Sequence, residues 1–225
     1  MTDWRIIQRG AAPGPLVLVY HLNERANDAL RLAAPTATIA NDTVHGSMYQ
    51  DAETIDKSIA EIGGGPYAPV VLAGFSAGGL ATRRVLEQGS DPDALVIADG
   101  TYAMSESQMA AWKAYAAKAR AGQRVMLASH SAYSAPNNTW HVLQEIAGVP
   151  LPLNGENRFQ DGNLIILSSP TAHNYHGEVL LPRMVGEALT MLGAQKPAPE
   201  KKPAPWVAAL GILAAAGAAA IIIRR

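Results

Sequence analysis

The sequence has no cysteine among its 225 residues. That excludes disulfides, thiol catalysis and cysteine-ligated metal, and it leaves a reducing compartment acceptable. A charge surplus is also missing: 18 basic side chains stand against 19 acidic ones. There is no basic excess to grip nucleic acid and no acidic tail. The amino terminus, MTDWRIIQRGAAPG, lacks the basic start and long apolar run of a signal peptide. No internal repeat is visible. What is present is a chain long enough for one α/β domain with a sizeable core and a segment appended to it.

The appended segment is WVAALGILAAAGAAAIII, residues 206–223, with no charged or strongly polar group. As a helix it would be roughly 27 Å long, against a hydrocarbon core of about 30 Å. Lys201 and Lys202 precede it, Trp206 stands at its start, and Arg224 and Arg225 follow. The length criterion favours a single transmembrane anchor over an alanine-rich helix packed on the domain. With no signal peptide, the expectation is a tail anchor that leaves the large domain in the cytoplasm. AQKPAPEKKPAP, residues 194–205, carries four prolines and three lysines and reads as a semi-rigid extended linker. The expected division is a domain over residues 1–193, a linker over 194–205 and an anchor over 206–225.

Strand-like runs occur at WRIIQRG (4–10), PLVLVYH (15–21), TATIA (36–40), PVVLAGF (69–75), ALVIAD (94–99), RVMLAS (124–129) and NLIILSS (163–169). The middle and later runs are continuously apolar, as parallel strands covered on both faces must be. Helical patterns alternate with them at 51–62, 77–88, 105–121, 138–147 and 177–192. Pro182, inside the last pattern, fits a first helical turn. This alternation predicts a parallel sheet with helical crossovers. The first two runs are separated only by AAPG, so they are expected to pair as an antiparallel hairpin.

The chemistry centres on VVLAGFSAGGLATRRVL, residues 70–86. An apolar strand runs into Gly74-Phe75-Ser76-Ala77-Gly78, and a helical pattern follows at once. Ligands of such sheets bind beyond the carboxyl ends of the strands. A serine on a tight bend there is exposed, and the next helix aims its first amides at the same point. Gly74 and Gly78 are expected to be needed because side chains beside the bend would collide.

With this elbow, the alternating pattern around it and a late histidine before a final helix, residues 4–193 resemble the α/β-hydrolase superfamily of serine esterases and lipases. The resemblance implies a mostly parallel sheet of eight strands flanked by helices, and a triad in the chain order serine, acid, histidine. It places the base after the last strand, where PTAHNYHG offers His173 and, as the alternate, His176. His176 immediately precedes a helical pattern, whose positive end disfavours the imidazolium needed in catalysis, so His173 ranks first.

The family most often places the acid after the penultimate strand. Here that strand is followed by HSAYSAPNNTWH, which has no carboxylate. The preceding strand ends in Asp99-Gly100, and Asp99 keeps the expected order. Asp161 is second choice, because Asp-Gly-Asn before a strand reads better as a turn.

A tetrahedral oxyanion needs two preorganised amides. Ala77 is expected to supply one, and Leu22 or Asn23 the other, since the HGGG form found in some esterases is replaced by His21, Leu22 and Asn23. His21 and His130 read as structural. Tyr49, Tyr102, Met104, Tyr133 and Trp140 fall near the expected catalytic edge, where they could line a pocket. No cofactor is expected, and no metal, because no histidine–carboxylate cluster has ligand spacing except the pair His173 and His176, whose position the triad explains better.

The reading is a membrane-anchored serine hydrolase that cleaves an ester or thioester, small or lipid-like, through an acyl-enzyme. The alternatives are an inactive membrane-tethered scaffold on the same fold and a serine peptidase or amidase.

Overall fold

Apolar runs too long for one-sided strands set the architecture. In the computed structural model the described residues are 4–20, 24–42, 52–132 and 139–195. Among them, eight strands form one sheet: β1 (Trp4–Gln8), β2 (Gly14–Tyr20), β3 (Thr38–Asp42), β4 (Tyr67–Phe75), β5 (Ala94–Ala98), β6 (Val125–Ser131), β7 (Asn157–Asp161) and β8 (Leu164–Ser169). Their order is β1-β3-β2-β4-β5-β6-β8-β7. The six inner strands are parallel, and only β1 and β7 run antiparallel to their neighbours.

Side chains alternate between two apolar layers, as the strand period of two requires. Leu16, Leu18 and Tyr20 face one layer, with α2 (Ile55–Ile62), α3 (Gly78–Glu87), α4 (Glu106–Arg120) and α5 (Thr139–Ala147) over it. Val17 and Val19 face the other, covered by α1 (Asn27–Ala33) and α7 (Leu181–Met191). Each fully buried Leu, Ile or Val side chain contributes about 1.5–3 kcal/mol, so the central strands anchor the strand tips firmly. Just before α7 the chain winds through a short α6 (His173–Tyr175) and a π-helical stretch (His176–Leu180). Pro182 lies in the first turn of α7, directly after the π-helical stretch.

Several expectations are corrected. β1 and β2 do not form a hairpin: β3 lies between them, parallel to β2 and antiparallel to β1. The connection passes close over the start of β3. A Cβ on Gly10 would meet the Thr36 carbonyl oxygen at 2.2 Å, so the absent side chain lets the chain cross to the far side. The short helix α1 and the polar edge strand β7 carry no strong apolar pattern and escape the sequence reading. Gly162, with φ of 59°, makes the β7–β8 turn, and Asp161 at the end of β7 pairs with Arg120 at 2.7 Å.

The added transmembrane segment is also corrected. Among the described residues no helix is long and apolar enough to cross a membrane. Residues 206–225 and the prolines of the expected linker lie outside the described residues. The described residues thus carry the expected sheet and flanking helices and no membrane-spanning helix. Gln195, assigned to the linker, instead hydrogen-bonds through its side-chain amide to the carbonyls of Ala33 and Gly186, at 3.0 and 2.8 Å.

Candidate active site

The site grows out of the carboxyl ends of β4, β5, β6 and β8. β4 ends at Phe75 and α3 begins at Gly78, leaving Ser76 and Ala77 to make the whole bend. Ser76 has φ of 51°, and the only other non-glycine residue with positive φ among the described residues is Asp99, at 45°. Left-handed backbone costs about 1–3 kcal/mol at a residue with a side chain and persists only where the surroundings enforce it. Two such residues at neighbouring strand tips mark one site.

The enforcement is visible. Ser76 N–H donates to the Ala98 carbonyl at 3.0 Å, carrying the β4–β5 ladder one residue beyond the strands. The Gly79 and Leu80 amides donate back to the Ser76 and Ala77 carbonyls and start α3. A Cβ on Gly74 would lie 2.8 Å from the Gly78 carbonyl oxygen, so the elbow closes only because Gly74 has none. A tighter approach was not foreseen: a Cβ on Gly79 would meet the Gly100 carbonyl oxygen at 1.8 Å, and one on Gly100 would meet that of Ser76 at 2.4 Å. The Ser76 bend and the Asp99 bend are therefore packed backbone to backbone. The paired Gly78-Gly79 and the Asp99-Gly100 dipeptide were the available signals.

Asp99 is buried and its carboxylate is saturated. His173 Nδ1 lies 2.6 Å from Oδ2, the Ser131 hydroxyl donates to Oδ2 at 2.6 Å, and Ser131 N–H donates to Oδ1 at 3.1 Å. Burial pushes the carboxyl up, but the hydrogen bonds from His173 and Ser131 outweigh it and hold Asp99 below the ordinary carboxylate value. An ionised carboxylate only accepts, so His173 Nδ1 carries the proton and Nε2 is left with a lone pair. The His173 side chain is 38% exposed, and its ring lies against Phe75, centroids 4.7 Å apart. Gly177 permits this: a Cβ there would meet the Phe75 ring at 2.7 Å. The imidazole thus packs on the side chain of the residue that directly precedes Ser76.

His176 is elsewhere. It is fully buried, with Nδ1 2.8 Å from Ser129 Oγ, and burial pushes its pKa down to about 4. The dipole argument that ranked the two histidines is corrected, because the helical winding begins at His173 itself. Burial and the Asp99 carboxylate separate them instead. His130 is buried too, with Nε2 2.9 Å from Ser168 Oγ, and burial lowers its pKa.

Ser76 Oγ makes no hydrogen bond to His173 in this structure. The neighbour of its side chain is Tyr102, whose hydroxyl donates to the Asp99 carbonyl at 3.3 Å. Burial raises the Tyr102 pKa, and its contacts with the Ser76 and Thr139 hydroxyls partly offset this. Ala77 begins the helical winding of α3, where the first amides lack intrahelical acceptors. Leu22, with His21, Asn23, Tyr49 and Tyr133, lies outside the described residues. Trp140 donates through Nε1 to the Leu151 carbonyl at 3.0 Å and packs on the core, while Met104 is exposed. Asp161 is on the β7–β8 turn, bonded to Arg120 and apart from the strand tips that hold Ser76 and His173. Among the described residues no cluster of three or more His, Asp or Glu side chains could hold a metal ion.

No protein-family model and no curated protein sequence matches the chain. Solved structures do. The protein TT1662 from Thermus thermophilus is 16% identical, with a TM-score of 0.53 over 85% of this chain and 93% of its own. Est1E from Butyrivibrio proteoclasticus is 12% identical, with a TM-score of 0.50 over 85% of this chain and 93% of its own. The acylaminoacyl peptidase from Pyrococcus horikoshii is 14% identical, with a TM-score of 0.51, and the match covers 89% of this chain but 41% of the peptidase. At these identities the likeness is one of fold, and the fold is that of the α/β-hydrolases.

Proposed function

We propose that the protein is a serine hydrolase that cleaves an ester or thioester by acyl transfer, with Ser76 as nucleophile, His173 as base and Asp99 as acid. The observation that carries this reading is the Asp99–His173 pair at 2.6 Å, with a serine held at φ of 51° at the strand tip adjacent to Asp99. A partly exposed imidazole with Nδ1 committed to a buried carboxylate presents Nε2 as a base and gains stabilisation when it takes a proton.

In the first step Ser76 Oγ attacks the substrate carbonyl as its proton passes to His173 Nε2. The Asp99 carboxylate holds the ring in place and balances the imidazolium. The Ala77 amide stabilises the oxyanion, with Leu22 as the proposed second donor. The leaving group departs with the proton from His173. Water, deprotonated by the same nitrogen, then releases the acyl group and frees Ser76. The reading requires the Ser76 hydroxyl to turn from Tyr102 to Nε2 when substrate binds. Loosely aligned contacts that tighten in the substrate complex are common in unliganded hydrolytic sites.

A fluorophosphonate probe tests this. Covalent labelling of Ser76 that is absent in Ser76→Ala, together with turnover of short p-nitrophenyl esters, is the expected result. Folded protein that neither labels nor turns over any ester would overturn it. Comparing ester with peptide substrates separates an esterase from a peptidase.

A further inference from the structure

We infer that Ser131 is a positioning residue for the proposed acid, fixing the Asp99 carboxylate so that Oδ2 faces His173 Nδ1. This inference rests on the triad proposed above.

The ladder between β5 and β6 ends beside Asp99. The strands pair in parallel up to Ala98 and Ser129, and Asp99 N–H continues the pattern by donating to the Ser129 carbonyl at 2.9 Å. In a parallel ladder a residue donates to one neighbour on the partner strand and accepts from the residue two positions farther along it. The next rung should therefore run from Ser131 N–H to the Asp99 carbonyl. Instead Ser131 N–H donates to Asp99 Oδ1 at 3.1 Å. The φ of 45° at Asp99 turns its own carbonyl out of the ladder, where it accepts from the Tyr102 hydroxyl, and the carboxylate takes the vacated rung.

That exchange fixes one oxygen and leaves the second free to rotate slightly about the first. The Ser131 hydroxyl removes this freedom by donating to Oδ2 at 2.6 Å, beside the His173 contact to the same atom at 2.6 Å. Ser131 is fully buried, so water does not compete for its hydroxyl. One residue thus holds both carboxylate oxygens through two donors of fixed separation. The strained backbone of Asp99, otherwise a pure cost, is what brings its side chain into the rung.

The test compares Ser131→Ala, Ser131→Thr and Asp99→Asn, with turnover normalised to fluorophosphonate-titrated sites. Ser131→Ala should lower kcat by about 10- to 100-fold, the range of one charge-assisted hydrogen bond, with KM within about twofold. Ser131→Thr, which keeps the hydroxyl, should restore most of kcat. In an Asp99→Asn background, Ser131→Ala should cause no further loss, because its effect passes through that carboxylate. Should Ser131→Ala fold poorly, Ser131→Cys keeps the side chain's shape with a weak donor and should show the same fall in kcat.

Wild-type kcat in Ser131→Ala or Ser131→Cys, or losses that simply add in the double variant, would overturn the inference while leaving the triad intact. Near-normal turnover in Asp99→Asn would overturn the triad and this inference together.

Discussion

Two histidines three residues apart have different neighbours, and the proposed chemistry uses only one of them. His176 has the closer serine, with Ser129 Oγ 2.8 Å from Nδ1. His173 has no such contact, yet it has the Asp99 carboxylate on one nitrogen and a partly exposed side chain. A serine–histidine hydrogen bond is therefore no mark of a nucleophile. What matters is a carboxylate that stabilises the imidazolium and a lone pair that a substrate can reach. The Asp99 carboxylate favours the charged form of His176 too, but makes no hydrogen bond to it, and burial outweighs that attraction so far that its pKa falls to about 4.

Substitutions at the two histidines should give opposite phenotypes. His173→Ala should lower ester turnover by roughly 10⁴-fold, the scale of losing a triad base, with melting temperature changed by only a few degrees. Asp99→Asn should cost about 10³- to 10⁴-fold in kcat while near-ultraviolet circular dichroism stays native. Comparable losses from His176→Gln, measured per folded molecule, would erase the distinction drawn here. The expected outcome for His176→Gln is kcat within about threefold and stability lower by about 1–3 kcal/mol in urea melts, the cost of disturbing a buried hydrogen bond.

The smallest effect separates the two by pH. The folded pKa of His176 lies below its ordinary value of 6.5, so its contribution to stability is complete above that pH and is lost as pH falls toward about 4. A shift of this size corresponds to at most about 3 kcal/mol. Buried His130 acts in the same direction over this range, whereas Asp99, also lowered, loses its contribution only below the ordinary carboxylate value. Urea melts between pH 7 and pH 4 should show declining stability with a shallower slope in His176→Gln. An unchanged slope would mean that His176 is not held neutral by its surroundings.

The legibility of the chain varied with how local its physics is. The strand–elbow–helix junction at residues 70–86 was readable because apolar run, glycine spacing and helical period all lie within one segment. The buried strands β4, β5, β6 and β8 were readable for the same reason. β7 was not, because an exposed edge strand such as Asn157–Asp161 needs no apolar pattern. The partner of β1 was not readable either, since a short connection suggests a hairpin and only the close passage of Gly10 over β3 reveals the crossing. His173 was ranked above His176 by a helix-dipole argument that the winding from His173 onward removes. Ser131 carried no motif at all; its only signal was the polar run Ser129-His130-Ser131 closing an apolar strand.

From the sequence alone came the class of the sheet, the serine at its elbow, and an aspartate and histidine in an order compatible with one site. The sheet and the elbow depend on periodicity and on spacing along the chain, which neighbouring residues enforce on one another, whereas the aspartate and histidine follow from the resemblance to the α/β-hydrolases. The tertiary structure alone decided which histidine meets Asp99, that Ser131 completes the carboxylate's hydrogen bonds, and that Gly79 and Gly100 press the two bends together. Such contacts join residues from 21 to 74 positions apart and exist only once two apolar layers have brought four strand tips to one edge.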